Sequence, residues 1–397
     1  MSDAPQTPES VSRRDFLRVG SMGVVGLKMA EQARALHPSP KPRNCILILM
    51  SGGASQLETF DPKPEAPREI RGPMRAIDTS IPRVKISESL PRIAQRLDRM
   101  TIIRSLYHEA APIHETGLQL LQTGRLSTGR TRFPAFGSVI KQIFHESRSS
   151  EVYAVLPGPL RETGVATWIG QGAGFLGDRF EPVVPLDPEA ASSAEDPGAL
   201  RLRSEPDRIA LKYGDHNFGR LLMQARQLIE SGVNVVTVNL FDSLRGGLSF
   251  DSHAQSPESP TTIQDYVEKL CPRFDQAYSA LLDDLDDRGL LKETIVVACG
   301  EFGRSPRVNF AGGRDHWTRC WSALVAGDGI PGGQVIGKTD ATASEILDRP
   351  VHTSELTATL YHLLGVPRET LLRLEDNNEI PLIEANPLPE LLGTSVA

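Results

Sequence analysis

Cysteine is scarce. The four in this chain, Cys45, Cys271, Cys299 and Cys320, form no C-x-x-C pair, so no metal site is built from them. Cys45 and Cys299 lie inside apolar runs and read as buried thiols, although four cysteines allow three pairings in an oxidising compartment. No apolar run approaches the roughly 20 residues of a membrane span, so no transmembrane segment is expected in the mature chain. Basic blocks are missing beyond the N-terminus: 43 basic against 50 acidic residues give a formal charge of −7, which argues against a nucleic-acid partner. Aromatics are few, at 6%. What is present is a globular composition, 39% hydrophobic and 23% charged over 397 residues, sufficient for one large core or two modest ones. Thirty prolines and 34 glycines imply long, structured loops between elements.

The N-terminus reads as an address. Ser12-Arg-Arg-Asp-Phe-Leu-Arg18 resembles the twin-arginine export signal, a mild apolar run follows from Val19 to Leu27, and Ala33-Arg-Ala35 offers a small-x-small cleavage site. The competing reading is an N-terminal amphipathic helix of a cytoplasmic protein, which Lys28 and Glu31 favour by shortening the apolar run. The resemblance implies the twin-arginine export machinery as a partner, a periplasmic or secreted location, and folding before translocation. The expected organisation is a signal peptide over 1–35 and one α/β domain over 36–397.

Buried parallel strands are expected at Asn44–Met50, Val233–Leu240 and Thr294–Cys299, with a shorter strand at Met100–Leu106, a possible one at Glu151–Leu156 and another at Cys320–Ala326. Helices are expected at Glu115–Leu121 with a Gly124 C-cap, at Phe218–Glu230, at Ile263–Arg288, and at Thr353–Leu364 behind a Thr or Ser cap. Asp178–Asp215 reads as a surface excursion, and Gly332-Gly333 as a hairpin turn. The carboxylates Asp283, Asp284, Asp286 and Asp287 read as a solvated helix face. Strand, loop and helix repeating in this way give a doubly wound, mostly parallel sheet with helices on both faces.

Ligands in open α/β sheets gather beyond the carboxyl ends of the strands. After Met50 comes Ser51-Gly-Gly-Ala-Ser-Gln-Leu-Glu-Thr-Phe-Asp61, supplying Glu58 and Asp61 beside a Gly-Gly turn. His114 stands near a helix N-terminus, where it is either a capping residue or a functional one. Asp251 and His253 are two apart in a loop, so an extended backbone projects both to one side. Thr294–Cys299 runs into Gly300-Glu-Phe-Gly-Arg-Ser-Pro306 and then Gly313-Arg-Asp-His-Trp317, which brings Glu301, Arg304, Asp315 and His316. Convergent Asp, Glu and His suit Zn²⁺, Mn²⁺, Mg²⁺ or Ca²⁺, and a neighbouring Arg suits a phosphate or sulfate oxygen. Metal-assisted attack on an anionic ester is the chemistry that this combination points to.

Gly52–Pro64, Asp251–His253, Gly300–Pro306 and Gly313–Trp317 together resemble the family called domain of unknown function 1501, which is sulfatase-like and similar to the alkaline phosphatase and sulfatase superfamily. The resemblance implies an alkaline phosphatase-like fold and a divalent ion held by Asp251, His253, Glu301 and His316. The first superfamily motif departs: a metal-binding Asp is usual directly after the first strand, where this chain has Ser51-Gly52, leaving Glu58 or Asp61 as substitutes. The nucleophile motif departs as well. Counting back from Thr123-Gly124 puts His114 in the place of the sulfatase Cys or Ser, with Thr116 the nearest hydroxyl, and histidine cannot become formylglycine. The resulting expectation is an exported hydrolase of phosphate or sulfate esters, with His114 and Arg304 as catalytic residues. The alternatives are a degenerate member that binds an anionic, sulfated or phosphorylated glycan, and a structural envelope protein.

Overall fold

The computed structural model describes residues 44–392 except 128, 145–151, 165–168, 187–199, 328 and 375. The twin-arginine motif, its apolar run, its cleavage site, Glu151 and part of the Asp178–Asp215 excursion lie outside the described residues. All described residues belong to one compact unit, Arg43–Ala397.

Among the described residues, eight strands form the central sheet: β1 Asn44–Leu49, β2 Met100–Tyr107, β3 Tyr153–Leu156, β4 Val235–Asn239, β5 Thr294–Cys299, β6 Trp321–Gly327, β7 Gln334–Ile336 and β8 Val351–His352. Their spatial order is β7-β2-β6-β5-β1-β4-β3, with β8 also paired to β2. Only β6 runs against the others. The fold is therefore the mostly parallel α/β sheet that the apolar runs imply. At its centre the registers Leu49↔Cys299 and Leu49↔Asn239 bring the carboxyl ends of β1, β5 and β4 level. Whatever follows each strand emerges at the same rim.

The period of two in β1 feeds both faces of the sheet. Ile46, Ile48 and Met50 join a core built with α3 (Asn217–Glu230) and α4 (Cys271–Asp287). Cys45, Leu47 and Leu49 join the opposite core, against α1 (His114–Thr123), α2 (Phe136–Phe144) and α5 (Thr353–Leu363). Each of Ile46, Leu47, Ile48 and Leu49 is at most 1% exposed, a burial that contributes about 1.5–3 kcal/mol per side chain. All four cysteines are free and buried, and burial pushes the thiols of Cys45 and Cys320 up to about 12. No helix among the described residues is long and apolar enough to cross a membrane.

Local details differ from the sequence expectation. Gly332-Gly333 does not turn a hairpin: β7 pairs parallel with β2, beyond β6's partner edge. The cap of α5 is His352, whose Nδ1 accepts from the Ser354 N–H while Glu355 returns a bond to the His352 N–H. The helix entering α4 contains a π turn at Tyr266–Leu270. Asp284 is not on a solvated face. It is 9% exposed and binds Arg226, Arg288 and Tyr213, whereas Asp286 meets Arg99 at a more open position.

Candidate metal centre at the sheet rim

Two glycines let the rim close up. Gly52, just past β1, has φ +100°, and a Cβ there would fall 2.3 Å from the Asp251 amide nitrogen, so only glycine lets the β1 exit pack onto the β4 exit loop. Gly117, one turn into α1, lies where a Cβ would come 2.9 Å from the Glu301 carbonyl oxygen. Its absence allows the first turn of α1 to seat His114 against the β5 exit.

Four of the expected residues meet through Asp251 Oδ1. His114 Nε2 is 3.4 Å from it, His253 Nε2 3.3 Å and His316 Nε2 3.3 Å, while Arg304 Nη2 donates to it at 2.6 Å. The Nε2 atoms of His253 and His316 are 2.9 Å apart. His114, Asp251 and His316 each turn a ligand-type atom to within 4.8 Å of the others. The 3.3–3.4 Å contacts to Asp251 match the spacing, about 3.3–3.6 Å, of tetrahedral ligand atoms lying about 2.0–2.2 Å from a zinc-like ion.

Behind each ring stands an acceptor. His114 Nδ1 lies 2.6 Å from Glu301 Oε1, His253 Nδ1 3.2 Å from Asp315 Oδ1, and His316 Nδ1 2.6 Å from the Pro112 carbonyl oxygen. A carbonyl oxygen only accepts, so His316 Nδ1 carries the hydrogen; the carboxylate of Asp315 assigns His253 in the same sense. In the neutral rings both Nε2 atoms are then bare lone pairs at 2.9 Å, an arrangement that calls for a cation between or beside them. Among the described residues, His114 Nε2 and Glu301 Oε2 are also buried without a hydrogen-bond partner.

The charge states agree with this division. Burial pushes His316 down to about 4, with the Arg304 charge adding to the effect and Asp251 opposing it; burial and Arg304 also lower His253. Both rings are therefore neutral at physiological pH, the form that binds a metal. Burial works against a charged His114, but the neighbouring carboxylates of Asp251 and Glu301 outweigh burial and raise it to about 9. Desolvation would raise the Asp251 carboxyl, yet the charges of Arg304 and His114 hold it well below the usual carboxylate range.

Other expected residues take different places. Glu301 stands behind His114 instead of beside the other rings, fixed by the Gly52 N–H at 2.9 Å. Glu58 is fully buried in an ion pair with Arg314 at 2.5 Å, and it also accepts from Ser55 Oγ. Asp61 binds Lys63 at 2.9 Å and Thr339, with Arg104 at 3.4 Å. Neither carboxylate joins the cluster, because a buried partner already holds each one. Arg304 is fully buried and donates to Gly52, Gly53, Arg314 and Asp251, so its charge serves the interior and not an incoming anion. Thr116 Oγ1 donates to the Ala111 carbonyl oxygen at 2.6 Å. The sequence places Asp315 at the strand exit without a role, and the Pro112 carbonyl leaves no mark in sequence.

The family described as "Protein of unknown function (DUF1501)" matches residues 42–194 and 185–392. No curated protein matches the sequence. Similar solved structures include an alkaline phosphatase superfamily protein from Vibrio parahaemolyticus, at 12% identity over 85% of this chain and 74% of that one, with a TM-score of 0.45. A phosphonate monoester hydrolase from Silicibacter pomeroyi aligns at 12% identity over 89% and 77%, with a TM-score of 0.45. A sulfatase from Pseudoalteromonas sp. aligns at 12% over 94% and 76%, with a TM-score of 0.43.

Proposed function

This chain belongs to the DUF1501 family, and we propose from that footing that it is a metal-dependent hydrolase of phosphate or sulfate esters. The observation that carries the proposal is the arrangement of His253 and His316, whose Nδ1 atoms face acceptors while their bare Nε2 atoms face each other and Asp251. Outer acceptors that fix the tautomer and aim the ring are the usual surroundings of metal-ligating imidazoles.

His114, Asp251 and His316 would hold a single ion once His114 has given up its proton, with His253 alongside His316 and with Glu301, Asp315 and the Pro112 carbonyl behind the rings. A nitrogen-rich set of this kind suits Zn²⁺ better than Mg²⁺ or Ca²⁺. When bound, the ion supplies Lewis-acid polarisation of an ester oxygen. The chain's own groups do the rest. His114 is 4% exposed and His316 17%, so a substrate meets the cluster from the side of His253 at 23%. The Asp315 carboxylate next to His253 is 54% exposed, which gives protons an exchange path between ring and solvent.

The ester class follows the sulfatase-like resemblance of Gly300–Pro306 and Gly313–Trp317. Elemental analysis of protein purified without chelator, with assays on aryl phosphates and aryl sulfates, tests the reading. Metal should be stoichiometric, and turnover should vanish in Asp251→Ala and His316→Ala. Metal-free protein that turns over neither ester would sink it.

A second reading is binding of an anionic glycan without turnover. It is favoured by the state of the nearby hydroxyls: Ser51 and Ser252 are fully buried, and Ser259 Oγ is engaged with Asp251 at 3.2 Å. Retention of a sulfated oligosaccharide with no released product would mark it. We also propose twin-arginine export, to be tested by fractionating cells that express the Arg13→Lys/Arg14→Lys variant, which should stay in the cytoplasm.

A further inference from the structure

Asp251 Oδ1, the oxygen that the three rings approach, also has a fixed cationic neighbour. Arg304 Nη2 donates to it at 2.6 Å and also to the Gly52 carbonyl oxygen. Arg304 Nε donates to Gly53 O at 3.1 Å, and Nη1 to Arg314 O at 3.0 Å. The guanidinium thus sits fully buried in a shell of three backbone carbonyls and one carboxylate oxygen. Carbonyl and carboxylate oxygens are what a hard cation such as Mg²⁺ or Ca²⁺ collects, and here they surround a protein cation.

The seat is built for that side chain. Gln56 accepts from the Arg304 N–H at 3.0 Å and donates to its carbonyl at 2.9 Å, so main chain and side chain are both clamped. The carbonyls of Gly52 and Gly53 come from the β1 exit, where Ser51-Gly52 offers no carboxylate to a metal. Two-ion centres place a pair of cations about 3.5–4 Å apart over one reacting group. In this chain one of the two positions is filled by an arginine.

We propose that Arg304 is a built-in replacement for a second metal ion, so that the rim centre takes one divalent ion and no more. The inference rests on the metal-centre reading above. It gives Arg304 a positioning role: it holds Asp251 and the Gly52-Gly53 turn, and it neutralises the carboxylate that the ion shares. It also explains why the chain needs no Asp directly after β1.

Native mass spectrometry of the full chain tests it by counting ions. Wild type incubated with excess Zn²⁺, and then with Mg²⁺ or Ca²⁺, should hold one ion per chain. Arg304→Ala, with the oxygen shell left open, should hold the first ion and gain a second, Mg²⁺ or Ca²⁺. Arg304→Lys, which keeps the charge, should remain at one. Two tightly held ions in wild type would overturn the proposal and leave the metal-centre reading standing, whereas none would overturn both. A single ion in a folded Arg304→Ala protein would also overturn it, since the seat would then not be a cation site. Should Arg304→Ala fail to fold, Arg304→Ser, which also leaves the shell open, takes its place under the same outcomes.

Discussion

His253 and His316 present their Nε2 atoms to each other at 2.9 Å, each ring held from behind through Nδ1 by Asp315 and by the Pro112 carbonyl. They come from loops that follow different strands, and neither loop alone specifies the contact.

Removing an outer acceptor should loosen the centre without dismantling it. Glu301→Gln and Asp315→Asn each weaken the orientation of one ring, and the expected loss in metal affinity is about 10–100-fold. Competition with a coloured chelator reads this out. Asp315 is 54% exposed, so its variant should keep wild-type stability. Unchanged affinity in both variants would contradict the assigned support roles.

Gly52→Ala should destabilise the fold and distort the centre together. Its φ of +100° strains any other residue, by about 1–3 kcal/mol, and the added methyl meets the Asp251 backbone at 2.3 Å. Urea unfolding should show a lowered midpoint, with reduced metal content in the same sample.

The Glu58–Arg314 pair is expected to matter for stability and not for metal. Both side chains are 0% exposed, and Arg314→Met leaves a buried carboxylate uncompensated at a cost of about 3–5 kcal/mol. Glu58→Gln in the same chain should recover part of that loss. A drop in metal content of the folded double variant would return Glu58 to the list of ligands.

His108 makes the fold acid-sensitive. It is 2% exposed, stacks edge-on against Trp321, and burial pushes it down to about 4, with the Glu301 backbone only partly opposing. The unfolded chain takes up this proton near pH 6.5, earlier than the folded one. Stability from neutral His108 is therefore complete above about 6.5 and falls as pH drops toward 4, by up to about 3 kcal/mol. Urea unfolding between pH 7 and 4 should show a shallower slope for His108→Gln than for wild type. Equal slopes would remove His108 as the cause.

Most of the fold was legible because apolar runs and caps are local signals. Thr294–Cys299 is a strand at the bounds its composition gives, and Gly124 ends α1 in the left-handed conformation expected of a glycine cap. That His114, Asp251, His253, Arg304 and His316 each follow a strand was readable from the sequence; that they meet at Asp251 Oδ1 was not. Glu58, Asp61, Glu301 and Arg304 show where that reasoning stops. A sequence gives the kind of side chain and roughly which edge it reaches, but whether a carboxylate faces a metal or a buried arginine depends on partners hundreds of residues away. Glu58 meets Arg314 across 256 positions, and Arg304 meets the β1 carbonyls across about as many.

Hydrophobic pattern by itself determined the parallel strands, the two cores and the edge at which chemistry collects, since burial of alternate residues admits few other arrangements. Only the tertiary structure decided which acid shares an oxygen among three rings, which stands behind one of them, and that a guanidinium takes a cation's seat. Those outcomes turn on ångström-scale distances between loops, which no local preference encodes.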